Sequence, residues 1–190
     1  IAAISAVVVT GSVDMVTDRH SWAEGTAAWI ATHRDRVPML GVCFGNQLLA
    51  HALGGRVEWT PEGGEYGTVE IAMLPAAAGD KLFEGVGKSF TAQAAHSQRV
   101  AELPKGGFPL AQNGYGLQAA RYGERIWGLQ FHPEFDAGLM RVLFDGYAKQ
   151  LGGLGVDVAA ARAGLAETPL AARLLRNFAA IVREQEAVVA

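Results

Sequence analysis

With 190 residues, half of them hydrophobic and 18% charged, the chain can bury one good core and is read as a single domain over residues 1–190. A net charge of −3 offers no case for nucleic-acid or anionic-membrane partners, and no apolar run reaches the ~20 residues of a membrane span. A lone cysteine excludes an internal disulfide, and no group of Cys, His, Asp and Glu has metal-ligand spacing, so no metal and no other cofactor is expected; the composition suits a compact cytoplasmic enzyme.

In chain order, the nearly continuous apolar run from Ala2 to Val9 predicts a central strand, turned outward at Thr10-Gly11-Ser12. Ser21-Trp22-Ala23-Glu24 has capping-box spacing and predicts a helix to about Thr32, with Trp22, Ala23, Trp29 and Ile30 facing inward. Val37 to Val42 reads as a short buried strand, and Asn46 to Leu53 as a helix stopped by Gly54-Gly55. Arg56 to Trp59, Gly67 to Leu74 and Ser89 to Ala95 read as short strands separated by Gly- and Pro-rich turns, a small antiparallel set beside the main sheet. Arg125 to Phe131 predicts another strand. Asp136 can cap a helix with Leu139, Met140, Leu143, Phe144 and Tyr147 on one face, which should pack on the sheet. Residues 156–190 read as a helical C-terminal extension: Thr168-Pro169 opens a helix with Leu170, Leu174, Phe178 and Ile181 in register. That stripe suits docking on the chain's own core, with a homodimer interface as its second use.

Two motifs carry chemistry. Gly41-Val42-Cys43-Phe44-Gly45-Asn46-Gln47 places the only cysteine between two glycines at a strand-to-helix turn. In such an elbow the central residue is strained and side chains two positions away would collide, so glycine is needed there. The thiol is held out into a cleft, at a helix N-terminus whose free N–H groups favour thiolate and any adjacent oxyanion. The second motif, Gln130-Phe131-His132-Pro133-Glu134, puts His132 just past the end of a strand. Neighbouring strand ends of a parallel sheet form one crevice, so Cys43 and His132 can meet there. Glu134 lies near enough to orient the imidazole, which completes the logic of a Cys-His-Glu triad.

Together, G-V-C-F-G-N-Q and L-Q-F-H-P-E-F resemble the class I (triad-type) glutamine amidotransferase family, in the form of a stand-alone, GMP-synthase-like glutaminase domain. The resemblance covers residues 4 to 150. Ala6 to Ser12 resembles the strand and glycine turn that supplies a backbone oxyanion donor, and Ala95-His96-Ser97-Gln98-Arg99-Val100 resembles the segment lining the substrate pocket. It implies a flavodoxin-like three-layer α/β sandwich with a mostly parallel central sheet, a nucleophile elbow and a small antiparallel subsheet. By the same resemblance, Cys43, His132 and Glu134 are the catalytic residues, Gly11 and Phe44 form the oxyanion hole, and Gln47, His96, Ser97 and Gln98 bind substrate. The family's commonest elbow has His where this chain has Asn46, which should tune activity without removing it. Members normally begin with a further strand and helix, and Ile1 is not methionine, so an N-terminal stretch is expected to be missing.

The chemistry implied is attack of the Cys43 thiolate on a carboxamide, loss of ammonia protonated by His132, and hydrolysis of the thioester. Three readings stay open: hydrolysis of L-glutamine, partnered by an ammonia-accepting synthase subunit; hydrolysis of γ-glutamyl amines or peptides; and a non-catalytic binding or regulatory module. The intact Cys43, His132 and Glu134 argue against the third.

Overall fold

The computed structural model describes residues 4–189, so part of the expected first strand, Ala2 and Ala3, lies outside the described residues. The chain runs β1 (Val7–Val9), α1 (Ser21–His33), β2 (Met39–Val42), α2 (Phe44–Ala52), β3 (Arg56–Trp59), β4 (Glu65–Met73), β5 (Ser89–His96), β6 (Gln98–Glu102), β7 (Phe108–Asn113), β8 (Gly116–Gly123), β9 (Ile126–Leu129), α3 (Ala137–Gly153), α4 (Val158–Ala163) and α5 (Pro169–Val189). Seven strands form one mixed sheet in the order β1-β2-β9-β8-β7-β4-β5, and β3 and β6 form a separate antiparallel pair.

Connection length decides strand direction. β1 reaches β2 through the crossover helix α1, and these two strands pair in parallel, as do β2 and β9. β8 reaches β9 through two residues only, which permits an antiparallel pair and nothing else; β7, β4 and β5 continue antiparallel from there. The small antiparallel set expected from Arg56 to Ala95 is therefore divided: β4 and β5 extend the main sheet, and only β3 joins the subsheet. Among the described residues β1 pairs on one side only, and Val8 is 49% exposed, so the first strand is an edge strand despite its apolar run.

Helices cover both faces because successive strand residues point to opposite sides. Met39 and Ile126 pack with Ala23, Ala27 and Ile30 of α1 and Leu48 and Leu49 of α2. Their neighbours Leu40 and Trp127 pack on the other face with Ala171, Leu174, Phe178 and Ile181 of α5. Each large side chain so buried contributes roughly 1.5–3 kcal/mol. The α5 stripe thus docks on the chain's own core, with Leu170 left 39% exposed and Ala171 in its place.

Two helices differ from expectation. Ser21 is already inside α1; His20 occupies the cap without a side-chain bond, so there is no capping box, and Trp22 is half exposed against Phe44. Asp136 does cap α3, accepting from Leu139 N at 2.7 Å. The helix turns Met140 and Phe144 not to the main cores but into a third cluster with Leu151, Leu165 and Tyr66, while Leu139 and Tyr147 stay exposed. Tyr147 also breaks helical geometry, so α3 is kinked there.

Candidate active site

β2 ends at Val42 and α2 starts at Phe44, leaving Cys43 alone to turn the chain. Its backbone has φ +52° and ψ −109°, a left-handed conformation rare outside glycine that holds the side chain at the turn's apex. The flanking glycines answer to close approach. A Cβ on Gly41 would lie 2.5 Å from the Gly45 carbonyl oxygen, and one on Gly45 would run into the carbonyl oxygen of Val9 in β1. The elbow therefore fits only because β2, the first turn of α2 and β1 nearly touch. Cys43 N donates to Leu129 O at 2.8 Å, tying the turn to the end of β9.

Three residues beyond β9, His132 is fixed by its own backbone, whose N–H donates to Gln93 O of β5 at 2.8 Å. Its ring stacks on Phe135 at 4.1 Å with an interplanar angle of 7°. Nδ1 lies 2.7 Å from Glu134 Oε1, and Cys43 lines one cleft with both residues. Burial alone would lower the imidazole pKa; the bonds and charges of Cys43 and Glu134 outweigh it and raise the pKa to about 9. The structure thus brings Cys43, His132 and Glu134 together.

Gly11 and Phe44 stand on either side of Cys43. A Cβ on Gly11 would approach His132 Cε1 to 3.0 Å and Cys43 Cβ to 3.8 Å, so a side chain there would crowd the His132 ring. Phe44 is the first residue of α2, where a backbone N–H has no intrahelical partner. Both line a cleft of about 610 Å³ that also contains Cys43, His132, Glu134, Gln47, His96, Ser97 and Gln98. Phe135 also lines it, as do Leu143, Tyr147, Gln150, Leu151 and Leu154 in and just after α3, so this part of the lining is mostly apolar.

The four residues expected to bind substrate are all buried, and hydrogen bonds commit several of their polar groups inward. Gln47 Nε2 donates to Gln98 O at 2.8 Å and to Gln130 Oε1 at 3.2 Å. His96 Nε2 is 3.0 Å from Glu65 Oε2, Ser97 Oγ is 2.7 Å from Tyr66 Oη, and Gln98 Nε2 donates to Thr17 Oγ1 at 2.6 Å. Asn46, the departure from the commonest elbow, points away from Cys43 into the structure: Tyr122 Oη donates to its Oδ1 at 2.5 Å, and its Nδ2 donates to Gln130 Oε1 at 3.2 Å. Glu65, Tyr66 and Gln93 bear on the site without having been legible, because the pairing of β4 with β5 brings them there; Phe135, which stacks on His132, directly follows Glu134 of the second motif.

The family model described as "Glutamine amidotransferase class-I" matches residues 2–150. The chain belongs to the class-I glutamine amidotransferase family. Within that family it is similar to the glutamine-hydrolyzing GMP synthase of Clostridium perfringens, 38% identical over 102 residues, 53% of this chain and 19% of that protein. It is likewise similar to a glutamine-hydrolyzing GMP synthase subunit of Archaeoglobus fulgidus, 37% identical over 100 residues, 52% of each chain. The match thus spans about half or less of these relatives' length. A solved glutamine amidotransferase of Thermotoga maritima shares the fold with a TM-score of 0.76 at 22% identity, over 92% of this chain and 77% of the other. Among the described residues no helix is long and apolar enough to cross a membrane.

Proposed function

We propose that this class-I glutamine amidotransferase hydrolyses the side-chain amide of L-glutamine to glutamate and ammonia. The observation that carries the reading is the His132 ring bonded to Glu134 in a cleft that Cys43, Gly11 and Phe44 also line. The Cys43 sulfur forms a bond to the amide carbon, and the oxyanion is met by the N–H groups of Phe44 and Gly11, worth roughly 3 kcal/mol per donor. His132 gives its proton to the departing nitrogen, the C–N bond breaks, and ammonia leaves a thioester. The ring, now neutral, takes a proton from water, whose oxygen displaces the sulfur and releases glutamate. Glu134 orients the ring through both steps. Ser97 and Gln98 offer backbone groups to the amino-acid end, and Gln47 and His96 brace that wall.

A second reading, hydrolysis of γ-glutamyl amines or peptides, is favoured by the apolar wall of Phe135, Leu143 and Tyr147 on the His132 side of the cleft, where a leaving amine takes its proton. The Archaeoglobus relative is by name one subunit of a synthase, which supports a separate synthase subunit in the role of ammonia acceptor.

Glutamate release from L-glutamine by the purified protein, with Cys43→Ala as blank, tests the first reading. Cysteine-dependent release supports it. Release from γ-glutamyl amines alone replaces it with the second.

A further inference from the structure

Glu65 opens β4 directly opposite His96, which closes β5, in the antiparallel ladder. It is 3% exposed and does not line the cleft. A carboxylate buried so deeply is costly unless its oxygens are satisfied, and here they are. Asn113 Nδ2 donates to Oε1 at 2.6 Å, Gln118 Nε2 to Oε2 at 2.8 Å, and His96 Nε2 lies 3.0 Å from Oε2.

The network continues from Glu65 to the elbow. His96 Nδ1 lies 3.1 Å from the carbonyl oxygen of Gln98, and the same oxygen accepts from Gln47 Nε2, one turn of α2 beyond Cys43. A carboxylate only accepts, whereas amides and imidazole can present either a donor or an acceptor. Glu65 therefore fixes the orientation of its three neighbours, each of which must present N–H to it. With its Nε2–H given to Glu65 the His96 ring is fixed, and its Nδ1 edge lies against the Gln98 carbonyl, which takes its hydrogen bond from Gln47. The backbone that results, Ala95 to Gln98, passes directly by the thiol, with Ala95 O 3.7 Å from Cys43 Sγ.

We propose that Glu65 is a positioning residue for the amino-acid end of the substrate, acting through His96 on the Ser97–Gln98 wall. The inference rests on the reading of glutamine hydrolysis given above. It separates two ends of the cleft: Glu65 governs how well the substrate's head is held, and the triad governs what happens at the amide.

The test uses the full chain and two variants, Glu65→Gln and the milder Asn113→Ala, with three readouts: KM and kcat for L-glutamine, and the rate of Cys43 alkylation by iodoacetamide, which has no amino-acid end. In Glu65→Gln, KM should rise about tenfold while kcat and alkylation stay within about twofold, the pattern of lost uniform binding. Asn113→Ala, which frees one carboxylate oxygen, should raise KM about threefold. A parallel fall in kcat and alkylation with KM unchanged would show a merely structural role and overturn the proposal, as would no change in any readout. Where Glu65→Gln fails to fold, Asn113→Ala decides, and an unchanged KM there overturns it. A wild-type protein that releases no glutamate overturns the hydrolysis reading and this inference with it. An active protein with an unaltered KM overturns this inference alone.

Discussion

The parallel strands β1, β2 and β9 and the antiparallel strands β4 and β5 meet at the cleft, and they hold their residues there by different means. On the parallel side the constraint is backbone against backbone: Cys43 turns at positive φ, Gly41 and Gly45 allow approach to within contact, and Leu129 O takes the Cys43 N–H. On the antiparallel side it is a hydrogen-bonded set of side chains around Glu65, reaching the cleft through His96 and Gln98. Backbone packing tolerates almost no change of residue, while a side-chain network can be weakened one bond at a time. Substitutions on the first side should therefore act as all or nothing, and those on the second by degrees.

The largest effects fall on the chemistry itself. Cys43→Ala should lower glutamate release by about 10⁴-fold or more, and His132→Ala by about 10³-fold, measured as kcat/KM for L-glutamine. Full activity in the first would sink the mechanism, and full activity in the second the choice of base. Next comes the backbone side at a distance from the reacting atoms. Gly45→Ala sets a methyl group against the Val9 carbonyl, so β1 and α2 must part; a loss of about 3 kcal/mol or more in urea denaturation is expected, with activity lost alongside. An alanine variant as stable as the parent would mean that the elbow is looser than this packing.

What the sequence made legible follows the same division. Glycine spacing around Cys43 and the Pro-Glu after His132 are local patterns, each with a steric or proton-transfer reason, and they pointed to two residues that line one cleft in the structure. The individual strands and helices were legible from apolar periodicity, and the three-layer α/β fold from the family resemblance. The Glu65 network was not, because it depends on pairing Glu65 with His96 across thirty residues and on β7 and β8 delivering Asn113 and Gln118 to the same point. An acid at the start of an otherwise ordinary strand looks like a solvated one. The kink at Tyr147 and the α3 cluster were hidden likewise: the helical stripe from Leu139 to Tyr147 was real, but only Met140 and Phe144 in it are fully buried.

Glu134→Ala sits between the two regimes. It removes one of the two groups that raise the His132 pKa, and activity should fall by about 10–100-fold, since the ring loses its orientation but not its place. The pH dependence has a definite sign. His132 is raised from 6.5 to about 9 in the folded protein, so its contribution to stability is fully present below about 6.5 and is lost as pH rises through about 9. Glu134→Ala should therefore cost more stability near pH 6 than near pH 9.5. Denaturant midpoints at the two values check this, and an equal cost at both would remove Glu134 from the set of groups holding the imidazolium.

The smallest expected effect concerns Asn46, which the sequence marks as a departure at the elbow. Its side chain faces Tyr122 and Gln130, not the thiol, and Gly128 must lack a Cβ because one there would strike Asn46 Oδ1. Tyr122→Phe deletes the phenol and leaves that oxygen buried without its donor, at a cost of about 1–3 kcal/mol. Burial pushes the Tyr122 phenol far above its ordinary pKa, so it remains a neutral donor throughout any practical range, and the loss should be the same at pH 6 as at pH 9. Because Asn46 lies in the first turn of α2 behind Cys43, the bond supports the elbow from below without entering the cleft. Glutamine turnover by the folded variant should change by less than about twofold. A large drop in kcat with stability intact would instead tie the depth of the elbow to the thiol, and would make the Asn46 position a determinant of rate.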